Sequence, residues 1–370
     1  MSTITTHSHY HYTTQTLPSN PTIFQSMAAS NLQPPQPSNL QSLSLPLKTR
    51  ILLKFLNLVT DTVRRDNGTV NRRVFNLLDR RVSANPTPIN SVSTHDITVD
   101  PTTNLSFRLF LPHHPTTTTS PIPVIVFFHG GGFSFLSASS FAYDAVCRRL
   151  ARRLNAVVCS VEYRLAPENK FPCQYEDGIS VLQFLDTRRH EIPMWPQNAS
   201  VSRCFIAGDS AGGNISHNVT VTACTTQFSE LRVIGLINIQ PFFGGMDRVA
   251  SETELEGAPI VSVARTRWMW NAFLPDGLDT DHWAVNVSGP NAVDITGLDF
   301  PETLLFIGGF DPLKDWQRRY YEWLRKSGKV VKLVEYTTAI HAFYVFPELP
   351  QATLLFDEVQ HFIHNRLSKL

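Results

Sequence analysis

One segment, Cys204-Phe205-Ile206-Ala207-Gly208-Asp209-Ser210-Ala211-Gly212-Gly213-Asn214, restricts the possible folds of this chain more than any other. A short apolar run, of the kind that forms a buried strand, ends in Gly-x-Ser-x-Gly and passes directly into residues with helical character. A chain that turns from strand to helix within so few residues brings two backbones very close together. Gly208 and Gly212 stand where side chains would collide with the neighbouring strand and helix. The turn lifts the Ser210 hydroxyl to an apex beside a helix N-terminus, where backbone N–H groups favour developing negative charge. A five-residue Gly-x-Ser-x-Gly is a weak pattern alone, so its meaning depends on what accompanies it.

Upstream lies Pro123-Val124-Ile125-Val126-Phe127-Phe128-His129-Gly130-Gly131-Gly132-Phe133, a β-branched and aromatic strand followed by three glycines. Bare backbone after a strand end offers N–H groups to an oxyanion without obstruction, and the amide after the nucleophile completes such a site. We assign Gly130, Gly131 and Ala211 as donors. The remaining partners of a serine nucleophile are expected downstream as an acid and then a histidine. Leu304–Gly309 reads as a further buried strand with Asp311 just past its end; Val330–Tyr336 reads as another, followed by His341. Catalytic groups in open α/β sheets gather at strand C-terminal ends, so Ser210, Asp311 and His341 can converge. Asp315 is the alternative acid, but it falls inside an expected helix. Of 13 histidines only His341, His361 and His364 follow Asp311, and the last two belong to the terminal helix. Asp209 is expected to serve at the helix start rather than as the acid. Phe133 and Tyr344 adjoin these motifs and are the residues assigned to a substrate pocket; Gln240–Gly245 is assigned to its rim.

With 370 residues, 42% of them hydrophobic, the chain can bury one large core. A net charge of +1 gives no electrostatic case for nucleic acid. The five cysteines are scattered, which suits reduced thiols of an intracellular, cytoplasmic protein. No Cys/His spacing suggests a metal, so none is expected, and no cofactor either. No apolar run approaches the roughly 20 residues that span a bilayer. The first 47 residues carry no acidic residue and are rich in Ser, Thr, Pro, Gln and Asn. We read residues 1–44 as a disordered leader, with Met27 an alternative start and organellar targeting the lesser possibility.

Leu47, Ile51, Leu52, Phe55, Leu58 and Val59 fit one face of a helix, and Val74, Leu77 and Leu78 extend an amphipathic segment beyond it. Residues 45–90 are therefore expected to fold as a helical lid over a catalytic domain at 91–370. Strand signals at 95–99 and 105–111 come first. Later strands at 122–128, 156–161, 203–208, 233–239, 303–308 and 330–336 are mostly separated by helical stretches, notably 139–154, 174–188, 211–224, 312–327 and 351–367. This order predicts a mostly parallel eight-stranded sheet, antiparallel at its start and flanked by helices. Pro112–Pro123 reads as a surface loop.

His129-Gly130-Gly131-Gly132, Tyr163-Arg164-Leu165-Ala166-Pro167-Glu168, Gly208–Asn214, Asp311-Pro312-Leu313 and His341-Ala342-Phe343 together resemble the plant carboxylesterases among the hormone-sensitive-lipase-like α/β-hydrolases. The resemblance runs from about residue 45 to the C-terminus and implies hydrolysis of small carboxylic esters; Ala342 stands where that family often has glycine. Arg64–Arg72 with Leu78-Asp79-Arg80 is similar to the N-terminal lid of the gibberellin receptors, which share the fold. Those receptors characteristically replace the histidine by an aliphatic residue, whereas His341 is present. Thr60, Arg265-Thr266 and Met269 stand where the receptors carry a tyrosine, an Asp-Arg pair and a second tyrosine, while Tyr344 matches a receptor tyrosine. Some relatives dehydrate hydroxyisoflavanones with an altered loop or nucleophile; Gly132 and Ser210 are both intact here. The oligomeric state is open at this level.

Overall fold

The computed structural model describes residues 43–113 and 121–370. The expected leader, all but its last two residues, and most of the Pro112–Pro123 loop lie outside the described residues.

Eight strands form one sheet in the order β1-β2-β4-β3-β5-β6-β7-β8. These are β1 (Val92–Asp100), β2 (Leu105–Pro112), β3 (Ile122–Phe128), β4 (Val157–Glu162), β5 (Ala199–Asp209), β6 (Val233–Ile239), β7 (Thr303–Phe310) and β8 (Val331–Ile340). The β1–β2 and β2–β4 pairs are antiparallel and all others parallel. Parallel strands are buried on both faces, and β3 shows the result: all seven of its residues are buried. Val124, Val126 and Phe128 enter one core with Leu182 of α4 (Cys173–Thr187), Val219 of α5 (Ala211–Ala223) and Leu324 of α8 (Lys314–Lys326). Ile125 and Phe127 enter the opposite core with Leu150 of α3 (Phe141–Leu154) and Phe356 of α9 (Pro350–Leu367). The period-2 alternation of strand side chains thus feeds two helical layers.

Two further helices, α6 (Ala250–Glu254) and α7 (Val263–Phe273), lie in the long β6–β7 connection and were not anticipated. Their signal was present for α7: the Ser262 side chain caps it by accepting from the Arg265 N–H, and Pro275 follows its end.

The N-terminal helices α1 (Leu47–Val63) and α2 (Arg72–Leu78) form as expected but turn differently. Leu47, Ile51, Leu52, Phe55 and Leu58 face solvent; of the expected face Val59 alone is buried, joined by Leu53 and Val63. Likewise α2 buries Phe75 and leaves Leu77 84% exposed. The first helix carries apolar residues on more than one face, so periodicity alone does not choose the inner one. Polar ties choose it: Thr49 donates to Glu348 at 2.7 Å, the Ile260 N–H donates to Asn57 at 3.0 Å, and Arg265 grips Asp61 through two bonds.

Candidate active site

The turn between β5 and α5 places Ser210 at φ 52° and ψ −121°, a conformation that costs about 1–3 kcal/mol for a residue with a side chain. The glycines are explained by distance. A Cβ on Gly208 would come 2.3 Å from the Gly212 carbonyl oxygen, and one on Gly212 would come 2.0 Å from that of Phe128. The elbow is tied down by the Ser210 N–H, which donates to Ile239 of β6 at 3.0 Å.

Ser210, His341 and Asp311 meet above the C-terminal ends of β5, β8 and β7. Ser210 Oγ lies 3.0 Å from His341 Nε2, and His341 Nδ1 lies 2.8 Å from Asp311 Oδ2. Both His341 and Asp311 are buried. Burial alone would pull the imidazole below its ordinary range, but the Asp311 charge and hydrogen bond outweigh it, so His341 titrates above the usual value. The carboxylate is held by neutral donors: Gln240 and Gln317 each donate to Oδ2 at 3.0 Å, and the Leu313 N–H donates to Oδ1 at 3.0 Å. Neither glutamine was singled out from sequence as a partner of the acid. Asp315 is elsewhere, accepting from the Ser251 N–H at 2.8 Å and pairing with Arg318.

The glycine loop requires a correction. The Gly130 N–H is already engaged, donating to Asp209 Oδ1 and to the Tyr143 hydroxyl, each at 2.8 Å. It is therefore not free for an oxyanion. Gly131 and Gly132 line the cavity with Ser210, whereas Gly130 lies behind it. Of the assigned donors, Gly131 lines this cavity beside Gly132, and Ala211 stands at the first position of α5, where the N–H has no partner within the helix. Asp209 is also reassigned: its carboxylate braces the Gly130 amide rather than the helix start. Burial raises Asp209 to about 6, opposed by the Tyr143 hydrogen bond and the His341 charge. His129 has its ring stacked on Tyr163 at 4.3 Å, and its Nδ1 lies 2.8 Å from the Gly130 carbonyl oxygen. Burial lowers His129 to about 4, so it is neutral and structural at neutral pH.

Ser210 opens into a cavity of about 170 Å³ covered by Leu56, Asn57, Val59 and Thr60 of α1, Phe75 of α2 and Met269 of α7. The volume is close to that of an apolar cavity of about 150 Å³ that accepts benzene. Neither Phe133 nor Tyr344 lines it. Phe133 stacks on Phe273 at 3.9 Å within the core, and the buried Tyr344 lies near Asp209. Of the expected rim, Phe242 faces the cavity, while Gln240 sits behind the acid. Phe135 and Met269 line it instead; Phe135 was hidden because neighbouring aromatic positions look equally suited to core and pocket, whereas Met269 stands at the position matched to a receptor tyrosine. Thr60, Arg265 and Thr266 also reach the cavity. Arg72 of α2 braces the same region, bonding Glu168 at 2.6 and 3.0 Å and the carbonyls of Ala166 and Ser134.

The five cysteines are unpaired, and burial raises the Cys204 thiol to about 12. Among the described residues no helix is long and apolar enough to cross a membrane.

Comparison with known proteins places this geometry in context. A family profile for the alpha/beta hydrolase fold matches residues 125–345. The gibberellin receptor GID1C of Arabidopsis thaliana is 40% identical over 333 residues, covering 86% of this chain and 94% of its own length. Probable carboxylesterase 8 of the same plant is 35% identical over 320 residues, covering 84% of this chain and 92% of its own. Among solved structures, a hyperthermophilic esterase from Pyrobaculum calidifontis superposes with a TM-score of 0.67 at 26% identity, over 86% of this chain and 97% of its own.

Proposed function

This chain belongs to the alpha/beta hydrolase fold family, and we propose that within it the protein is a serine carboxylesterase acting on small, compact, largely apolar esters. The observation that carries the reading is the continuous line of contacts from Asp311 through His341 to the Ser210 hydroxyl, at the floor of an apolar cavity. In this mechanism Ser210 attacks the ester carbonyl while His341 takes its proton, and Asp311 stabilises the imidazolium. The amides of Gly131, Gly132 and Ala211 receive the oxyanion, each such donor supporting about 10²- to 10³-fold in rate. His341 then protonates the departing alcohol and afterwards activates water to release the acid from Ser210. The α1–α2 segment acts as the lid, excluding water from the tetrahedral intermediate. The cavity suits one ring-sized or short-chain group, and no cofactor takes part.

A second reading is favoured by the 40% identity to a gibberellin receptor and by the closure of α1 over the cavity. Under it the pocket retains a ligand rather than turning one over. Thr60, Arg265, Thr266 and Met269, at positions where the receptors are expected to differ, all reach the cavity. Their substitution for phenolic, carboxylate and guanidinium groups removes hydrogen bonds worth about 1–3 kcal/mol apiece wherever a buried partner is left.

The experiment is hydrolysis of p-nitrophenyl esters of increasing acyl length beside a Ser210→Ala control. Turnover by the wild type that disappears in Ser210→Ala establishes the esterase. A folded wild type that leaves every ester intact, yet binds gibberellin by calorimetry, replaces it with the second reading.

A further inference from the structure

Resting on the esterase reading, we infer that Gln240 is a positioning residue whose single side-chain amide sets both the acid and the histidine loop. The residue sits just past β6 and is 1% exposed. Its Nε2 donates to Asp311 Oδ2 at 3.0 Å and to the Ile340 carbonyl at 3.1 Å. Its Oε1 accepts the Ala342 N–H at 2.8 Å. Ile340 and Ala342 flank His341 in sequence, so one planar group spans the carboxylate that orients the imidazole and both peptides that carry it. The amide orientation follows from this network, since a flip would set NH₂ against an N–H and oxygen against two acceptors.

Three costs have been accepted around this contact. Gln240 holds φ 46°, and Ala342 holds φ 56°, both in the left-handed region that disfavours residues with a Cβ. On the neighbouring strand Gly308 leaves the space, because a Cβ there would come 2.5 Å from Gln240 Nε2. Backbone outliers of this sort persist where the surroundings over-determine them, and here the determinant is the amide's three bonds. Gln317 offers the comparison within the same site. It donates to the same Asp311 oxygen, but its other bond goes to the Pro241 carbonyl and not to the histidine loop. Gln317 therefore supports the acid alone, whereas Gln240 couples acid and base.

The test is Gln240→Met, which keeps length and bulk and removes every hydrogen bond, measured beside Gln317→Met. Expected for Gln240→Met is a fall in kcat of about 10- to 100-fold, as for loss of a bond to a charged group, with KM within about threefold. The acid limb of the pH–rate profile moves to lower pH as His341 drifts from Asp311 and burial dominates. Gln317→Met leaves that limb in place. A role in stability alone predicts a lower melting temperature with kcat and the limb unchanged, and that outcome overturns the inference. If Gln240→Met does not fold, Gln240→Asn, too short to bridge Asp311 and Ala342, takes its place with the same criteria. The downfield Nδ1–H resonance of His341, followed in a Ser210→Ala background, reports the coupling without turnover. Its loss on removing the Gln240 amide supports the inference even if no ester is hydrolysed, and its persistence refutes it.

Discussion

Replacing Asp311 by asparagine removes one charge from the site while keeping its shape. Asp311 Oδ2 takes bonds from His341, Gln240 and Gln317, and Oδ1 takes one from the Leu313 N–H. An asparagine turned either way sets its NH₂ against N–H donors. Facing Leu313 it opposes one, facing His341 it opposes three, so the first orientation is the cheaper. A neutral carbonyl then stands where an anion stabilised the imidazolium. We expect kcat to fall about 10³- to 10⁴-fold, the upper value applying where the asparagine turns its NH₂ to His341 and imposes the wrong tautomer. That corresponds to about 4–5.5 kcal/mol on the barrier. The pH dependence has a definite sign. Burial of His341 persists while the opposing Asp311 charge is gone, so its titration drops from above the ordinary histidine value to below it. The acid limb of kcat/KM, measured with a short p-nitrophenyl ester across the neutral range, moves to lower pH. Stability follows the same linkage. The wild-type pair contributes fully below the ordinary histidine value and loses that contribution as pH rises through the raised one, so Asp311→Asn is penalised most under acid conditions. An Asp311→Asn enzyme within about tenfold of wild type, or with an unmoved limb, refutes the assignment of Asp311 as the orienting acid.

Tyr143→Phe removes the hydroxyl shared by Gly130 and Asp209. With the Asp209 carboxyl at about 6 in the folded protein, the loss of about 1.5–3 kcal/mol should appear chiefly above that pH, where the buried anion needs its donor, and denaturant melts on either side of it check this. Phe135→Ala should enlarge the cavity beside Phe75 and Trp268, costing about 3–5 kcal/mol of stability and moving the preferred acyl chain to greater length. An unchanged chain-length optimum would mean that Phe135 does not bound the acyl site.

Much of this protein was legible in its sequence because the relevant constraints are local. Gly208 and Gly212 must be bare for a strand to reverse into a helix, and the structure shows the backbone oxygens that exclude a Cβ. The eight strands and the five principal helices of the sheet layers follow from period and punctuation. The positions of serine, acid and histidine follow from the rule that such groups stand at strand C-terminal ends, and the three side chains do come together. What depended on the tertiary structure is which equivalent group faces which neighbour. Three consecutive glycines look alike as donors, yet the Gly130 amide is taken by Asp209 and Tyr143, leaving Gly131 and Gly132 at the cavity. Aromatic residues near the motifs look alike as pocket walls, yet Phe133 is absorbed by Phe273 while Phe135 faces the void. The first helix is apolar on more than one face, and Asp61, Asn57 and Thr49 decide which is turned inward by pairing with residues more than 200 positions away. Local backbone geometry is written within a few residues and can be read there. The choice among chemically similar neighbours is made by partners distant in the chain, and only folding brings them into contact.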